Sequence, residues 1–111
     1  GRIQKLGQFM KSGLKLVWTD NALEGLGQTF QYLELNFSER EIKSLARKIE
    51  STLAYILKFP ELYPESIRQK GVRRAVVTKF NTIYYRLNSD KNQMEILSFF
   101  SNRQNPEGFK Y

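Results

Sequence analysis

The spacing of apolar and polar residues changes period several times along this 111-residue chain. Residues 14–19, LKLVWT, form a short apolar run rich in β-forming side chains and predict a strand. The next stretch, NALEGLGQTFQYLELN, places Leu23, Leu26, Phe30 and Leu33 at steps of three and four, which predicts a helix with one stripe facing a core. Thr19 or Asp20 can cap that helix through a side-chain oxygen. Gly25 and Gly27 each weaken it by ~1 kcal/mol relative to alanine, so it needs tertiary support. Those glycines also allow a neighbour to come close.

A second helix is predicted over residues 39–57. Ser38 and Glu41 have the spacing of a capping box. Glu39 and Glu41 lie in the first turn, where the helix dipole favours them. Its apolar stripe is Ile42, Leu45, Ile49, Leu53 and Ile56, and Pro60 ends it. The short link between the two periodic segments implies a helical hairpin.

FPELYPES is a loop marked by two prolines, with Phe59, Leu62 and Tyr63 available to pin it to a core. Three strands follow, VRRAVVTKF, TIYYRL and QMEILSFF, joined by a tight turn near Asn81 and by the polar loop NSDKN. Short links make them an antiparallel meander. The order β-α-α-β-β-β predicts an α+β domain, a helical hairpin packed on one face of a small, mainly antiparallel four-stranded sheet.

Alternation along the meander sorts its side chains. Val72, Arg74, Val76, Thr78 and Phe80 share one face of the first meander strand, and Arg73, Ala75, Val77 and Lys79 the other. In the next strand Ile83, Tyr85 and Leu87 oppose Thr82, Tyr84 and Arg86. One face is expected under the helices. The other mixes aromatics with cations, which suits nucleic acid or an acidic, apolar peptide. Of Tyr84 and Tyr85, one is expected in the core and the other is a candidate for stacking.

Composition narrows the chemistry. With 41% hydrophobic and 26% charged residues the chain reads as globular. It has no apolar run near membrane-spanning length. The N-terminus lacks the apolar core of a signal peptide. Residues 1–13 read as a leader or flexible N-terminus, with Met10 a candidate start, and residues 14–111 as one domain. There are no cysteines and no histidines, which excludes thiol chemistry, thiolate metal sites and the usual general base. Acid–base chemistry would rest on Asp, Glu, Lys, Arg or Tyr.

The net charge of +7 is uneven. Between Ser66 and Ser89 stand Arg68, Lys70, Arg73, Arg74, Lys79 and Arg86, with no acid among them. Such a bias suggests a polyanionic or acidic partner, against the plainer reading of a solvated basic surface.

LKLVWTDNALEGLGQTFQYL resembles the opening strand and first helix of RelE/ParE toxins, also known as plasmid stabilisation toxins. FPELYPES followed by GVRRAVVTKFNTIYYRL resembles their post-helix loop and central hairpin, and MEILSFFSNRQNP their last strand with its arginine-containing tail. The resemblance runs from Leu14 to Pro106. It implies the cytoplasmic toxin of a type II toxin–antitoxin pair, with an acidic antitoxin as partner and operator DNA reached only through that antitoxin. It implies neither cofactor nor metal. One branch cuts mRNA on the ribosome and the other inhibits DNA gyrase.

For the nuclease branch the resemblance points to Arg73, Arg74, Arg103 and Tyr111 as catalytic candidates. Thr82 stands where ribonuclease members carry an arginine, and Phe109 at the spacing of their terminal tyrosine, two residues before Tyr111. Metal-free RNA cleavage needs an activated 2′-oxygen, a stabilised negative charge and a protonated leaving oxygen. The incomplete set favours the ParE-like branch, acting by protein–protein contact. Arg73, Arg74, Lys79, Tyr84, Arg86 and Arg103 are then the residues expected to bind target or antitoxin. Arg103 has a structural alternative, a cap on the carbonyls of the sheet edge.

Overall fold

The computed structural model describes residues 13–102. The elements follow the expected order: β1 (Lys15–Trp18), α1 (Asp20–Asn36), α2 (Glu39–Lys58), β2 (Arg73–Thr78), β3 (Asn81–Asn88) and β4 (Gln93–Ser101). The strands form one sheet in the order β1-β4-β3-β2, and both helices pack on it. β2, β3 and β4 are an antiparallel meander, whereas β1 runs parallel to β4 with Lys15 opposite Gln93.

Local chemistry explains the helix boundaries. Thr19, not Asp20, caps α1: its Oγ1 accepts from the Ala22 N–H at 3.1 Å. At α2 the Ser38 N–H and hydroxyl both donate to the Glu41 carboxylate, at 2.8 and 2.9 Å. Those bonds hold the Glu41 pKa below its ordinary value. Leu45, Ile49, Leu53 and Ile56 are buried as the periodicity predicts, and Leu57 joins them. The NSDKN loop closes with the Lys91 N–H on Asn88 Oδ1 and with Asn92 in the left-handed region at φ 53°.

The stripe of α1 differs from expectation. Leu23 is 47% exposed, and the buried positions are Ala22, Thr29 and Leu33, with Leu26 and Phe30 half-packed against the core. The cause is Gly25. A Cβ at this position would lie 2.3 Å from the Phe99 carbonyl oxygen of β4, so this side of the helix must face the sheet. Ala22, Gly25, Thr29 and Leu33 then share one meridian, and Leu23 is turned about 100° away from it.

β4 carries a bulge opposite the β3 pair. Tyr84 faces Ser98 and Tyr85 faces Ile96, so Leu97 is the extra residue. The start of α1 holds this bulge: Thr19 Oγ1 donates to the Ile96 and Leu97 carbonyls at 3.0 and 3.1 Å, and Asn21 Nδ2 to Leu97 at 3.0 Å. The Ile96 carbonyl also takes the Thr19 N–H at 3.0 Å, and the Thr19 and Asn21 side chains supply donors to the Leu97 carbonyl.

Gly25→Ala is expected to destabilise the protein by ~1–3 kcal/mol despite alanine's better helix propensity, because the clash is with backbone. Gly27 meets nothing within 4 Å. Gly27→Ala should therefore raise stability by up to ~1 kcal/mol. Urea midpoints of the two variants check the contrast.

Candidate functional site on the open sheet face

The helices cover one face of the sheet and leave the other to the cationic meander. On that open face Val72, Tyr84 and Leu97 form a second small apolar cluster, with Phe100 packed against it. Leu97 follows Ile96 to the open face by ordinary alternation, and the bulge then shifts the phase, so that Phe99 faces the helices and Phe100 joins Leu97. Tyr84 is consequently only 2% exposed. Both adjacent tyrosines are thus buried, one on each face, and Tyr84 offers no free ring for stacking.

The Tyr84 hydroxyl is the polar centre of this face. Burial pushes its pKa above the ordinary phenol value, while Arg74, hydrogen-bonded to it and close in charge, and Arg68 pull it down. The proton therefore stays on at neutral pH. The exposed Arg74 and Arg68 guanidiniums can donate to an anion, whether phosphate or carboxylate. Arg68 lies in the loop before β2 and was not among the expected site residues. The signal for it was its membership of the acid-free cationic run, since strand alternation says nothing about a loop residue.

The other expected cations separate. Arg73 lies on the helix-facing side: its Nη1 donates to the Tyr63 carbonyl at 2.6 Å and more weakly to that of Glu61 at 3.4 Å. Beside it Tyr85 donates to the Pro60 carbonyl at 2.9 Å, and the Tyr63 and Tyr85 rings meet edge to face at 6.2 Å. Arg73 and Tyr85 thus anchor the two-proline loop. Lys79 belongs to the β2–β3 turn, with Nζ 5.1 Å from the centre of the Phe80 ring. Arg86 lies on the open face but is forked onto Glu95 Oε1 through Nε and Nη2 at 2.9 and 2.8 Å. Arg103 and Tyr111, like Phe109, lie outside the described residues.

Chemically, the described part of this face supplies charge stabilisation without a ready base. Glu95 is the acid in place, and its bonds to Arg86, then Asn88, hold its pKa below the ordinary value. Thr82 stands between Val76 and Phe100 across the strands. Among the described residues no group of three His, Cys, Asp or Glu side chains is placed to hold a metal ion.

Comparison of the fold with solved structures is decisive for its class. A structure described as the chromosomal ParDE toxin–antitoxin system from P. aeruginosa superposes with a TM-score of 0.67 at 13% identity, over 82% of this chain and 98% of that one. This chain shares the fold of that structure. The YoeB dimer from Staphylococcus aureus superposes with a TM-score of 0.55 at 17% identity, over 89% of this chain and 99% of that one. The heterotetrameric YoeB–YefM toxin–antitoxin complex from the same organism gives 0.52 at 17% identity, over 88% and 98%. No protein-family model matches the sequence, and no curated protein matches it. The likeness is carried by backbone architecture, which at these identities is kept while surface side chains change.

Two expectations test the division of labour on this sheet. Arg73→Ala should cost roughly 1–2 kcal/mol by freeing the loop carbonyls, whereas Arg74→Ala should cost less than ~1 kcal/mol. Denaturant midpoints of the two variants check this. The Arg86–Glu95 pair predicts a pH effect. Glu95 has a depressed folded pKa, so its contribution is present above the ordinary carboxylate value of 4.5 and is lost as pH falls through the folded value. The stability gap between wild type and Glu95→Gln should be largest at neutral pH and close on acidification, as followed by thermal melts.

Proposed function

We propose that this protein is the toxin of a type II toxin–antitoxin pair, ParE-like, working in the cytoplasm by protein–protein inhibition with DNA gyrase as target. An acidic antitoxin segment neutralises it by covering the open sheet face. The observation that carries the reading is the composition of that face: Arg74, Arg68 and Arg86 around the Tyr84 cluster, with Thr82 where a nuclease would place an arginine. Such a surface suits an acidic partner and steers its approach, yet its described residues hold no free base to activate a 2′-oxygen. Support for a partner comes from the ParDE system and the YoeB–YefM complex, both toxin–antitoxin assemblies by description. Among the described residues no helix is long and apolar enough to cross a membrane.

The second reading is a ribosome-dependent mRNA endonuclease using Arg73, Arg74, Arg103 and Tyr111. It is favoured by the Arg74–Tyr84 contact, because a guanidinium beside a donor hydroxyl suits a developing phosphorane charge. The hydrogen bonds of Arg73 to the loop count against its share in that set.

Induced cells should stop growing with mRNA intact, and the purified protein should inhibit gyrase supercoiling. Arg74→Glu should abolish both arrest and inhibition without unfolding the protein. Primer extension on mRNA from induced cells, run beside the supercoiling assay, checks this. Codon-phased cuts lost in Arg74→Ala would replace the gyrase reading with the nuclease one. Pull-down of the neighbouring gene's acidic product should succeed at low salt and weaken as salt rises.

A further inference from the structure

A cavity of about 470 Å³ opens on the helix side of the sheet, away from the open face. It lies where the end of α1 and the start of α2 meet the β2–β3 turn, and Ser101 of β4 completes its wall. Tyr32, Leu33, Leu45 and Phe80 give it apolar sides. Leu33 and Leu45 belong to the core, so these walls are built into the fold. Pockets that hold small organic molecules run to roughly 300–1,000 Å³, and this one falls within that range.

The polar residues of the cavity are ordered by depth. Thr29, Asn81 and Ser101 are buried, at 4%, 7% and 8% exposure, whereas Lys48 and Lys79 are exposed. Thr29 already donates its hydroxyl proton to the Gly25 carbonyl at 2.9 Å. Asn81 donates through Nδ2 to Thr78 Oγ1 at 2.8 Å, and the same oxygen accepts from the Phe80 N–H at 3.1 Å. The other half of the Asn81 amide, Oδ1, is buried and has no donor among the described residues. An acceptor left in that state lowers stability, and native folds keep few of them. The last side-chain torsion of asparagine is broad, so a modest turn presents this oxygen to a ligand.

The rim has the opposite character. Lys48 stands on α2, and Lys79 Nζ lies 5.1 Å from the centre of the Phe80 ring. Glu41 is the acid of the lining, and its carboxylate is engaged by the Ser38 N–H and hydroxyl. A matching ligand therefore has a flat apolar body, one N–H or O–H at its inner end and a negative charge at its outer end. A nucleotide also joins a ring to an anion. Its base carries several polar edge groups, however, and these apolar walls would leave most of them unpaired.

We propose that this cavity binds a small aromatic carboxylate whose ring bears a single N–H or O–H donor. The donor meets the Asn81 amide oxygen, and the carboxylate pairs with Lys48 and Lys79. The site is distinct from the Arg74–Tyr84 cluster across the sheet and does not rest on the toxin reading.

The test uses the full chain labelled with nitrogen-15 and indole-3-acetate as the probe. Saturable shifts are expected at the amides of Ser44, Phe80 and Ser101 and at the side-chain amide of Asn81. 1-Methylindole-3-acetate, which lacks the ring donor, should bind ~10-fold more weakly. 3-Methylindole, which lacks the carboxylate, should bind severalfold more weakly and without salt dependence. Asn81→Leu, close in volume, should bring the two acetates to within about 2-fold of each other. Lys48→Gln should weaken indole-3-acetate severalfold and leave 3-methylindole unchanged. Should Asn81→Leu fail to fold, the methylated and unmethylated pair on the unaltered protein still decides. Equal binding of that pair would overturn the proposal, as would no saturation at about 1 mM probe or shifts centred on Arg74 and Tyr84. Adenosine monophosphate binding the cavity more tightly than indole-3-acetate would overturn it too. None of these outcomes depends on growth arrest or gyrase, so failure of this site and failure of the toxin reading can be told apart.

Discussion

The contact between the start of α1 and the bulge of β4 is the constraint from which the rest of this structure follows. Thr19 caps the helix and holds the Ile96 and Leu97 carbonyls with the same hydroxyl, and Asn21 adds a second donor to Leu97. One turn later Gly25 lets the helix backbone sit against the Phe99 carbonyl. Together these fix the depth and rotation of α1. They also supply side-chain donors to the Leu97 carbonyl at the bulge.

From the bulge the consequence passes to the opposite face. Leu97 enters the cluster of Val72 and Tyr84 on the side away from the helices. That cluster buries Tyr84, whose hydroxyl feels the charges of Arg74 and Arg68. The helix cap and the Tyr84 cluster thus lie on opposite faces of the same sheet.

Adjacent cations in this protein have unrelated work because a strand alternates. Arg73 and Arg74 differ by one position, and one ties down the loop carbonyls while the other reaches Tyr84. Lys79 is at the turn, over the Phe80 ring, and Arg86 is tied to Glu95. A cationic run that looks uniform in one dimension is distributed over a loop anchor, an open face and a turn. Its net effect at long range remains a positive field that favours acidic partners.

The order of elements, the helical hairpin, the meander and the Ser38–Glu41 cap were legible in the sequence, because each is set by residues within a few positions of one another. Hydrophobic periods of two and three to four, and turn chemistry such as NSDKN, act over that reach. The resemblance to RelE/ParE toxins likewise rested on element order and spacing, the features that a shared backbone preserves. What the sequence could not decide were the contacts between distant residues. The Thr19–Ile96 bond joins positions 77 apart, and it sets a bulge that no local pattern announces. The phase shift at that bulge put Phe99 under the helices and Phe100 beside Leu97 and Tyr84 on the open face. Close backbone approach at Gly25 shifted the buried meridian of α1 away from Leu23, although Leu23 fitted the apolar period. Tertiary structure alone chose the partner of each cation, since a guanidinium's destination depends on which carbonyl or carboxylate the folded chain brings within its reach.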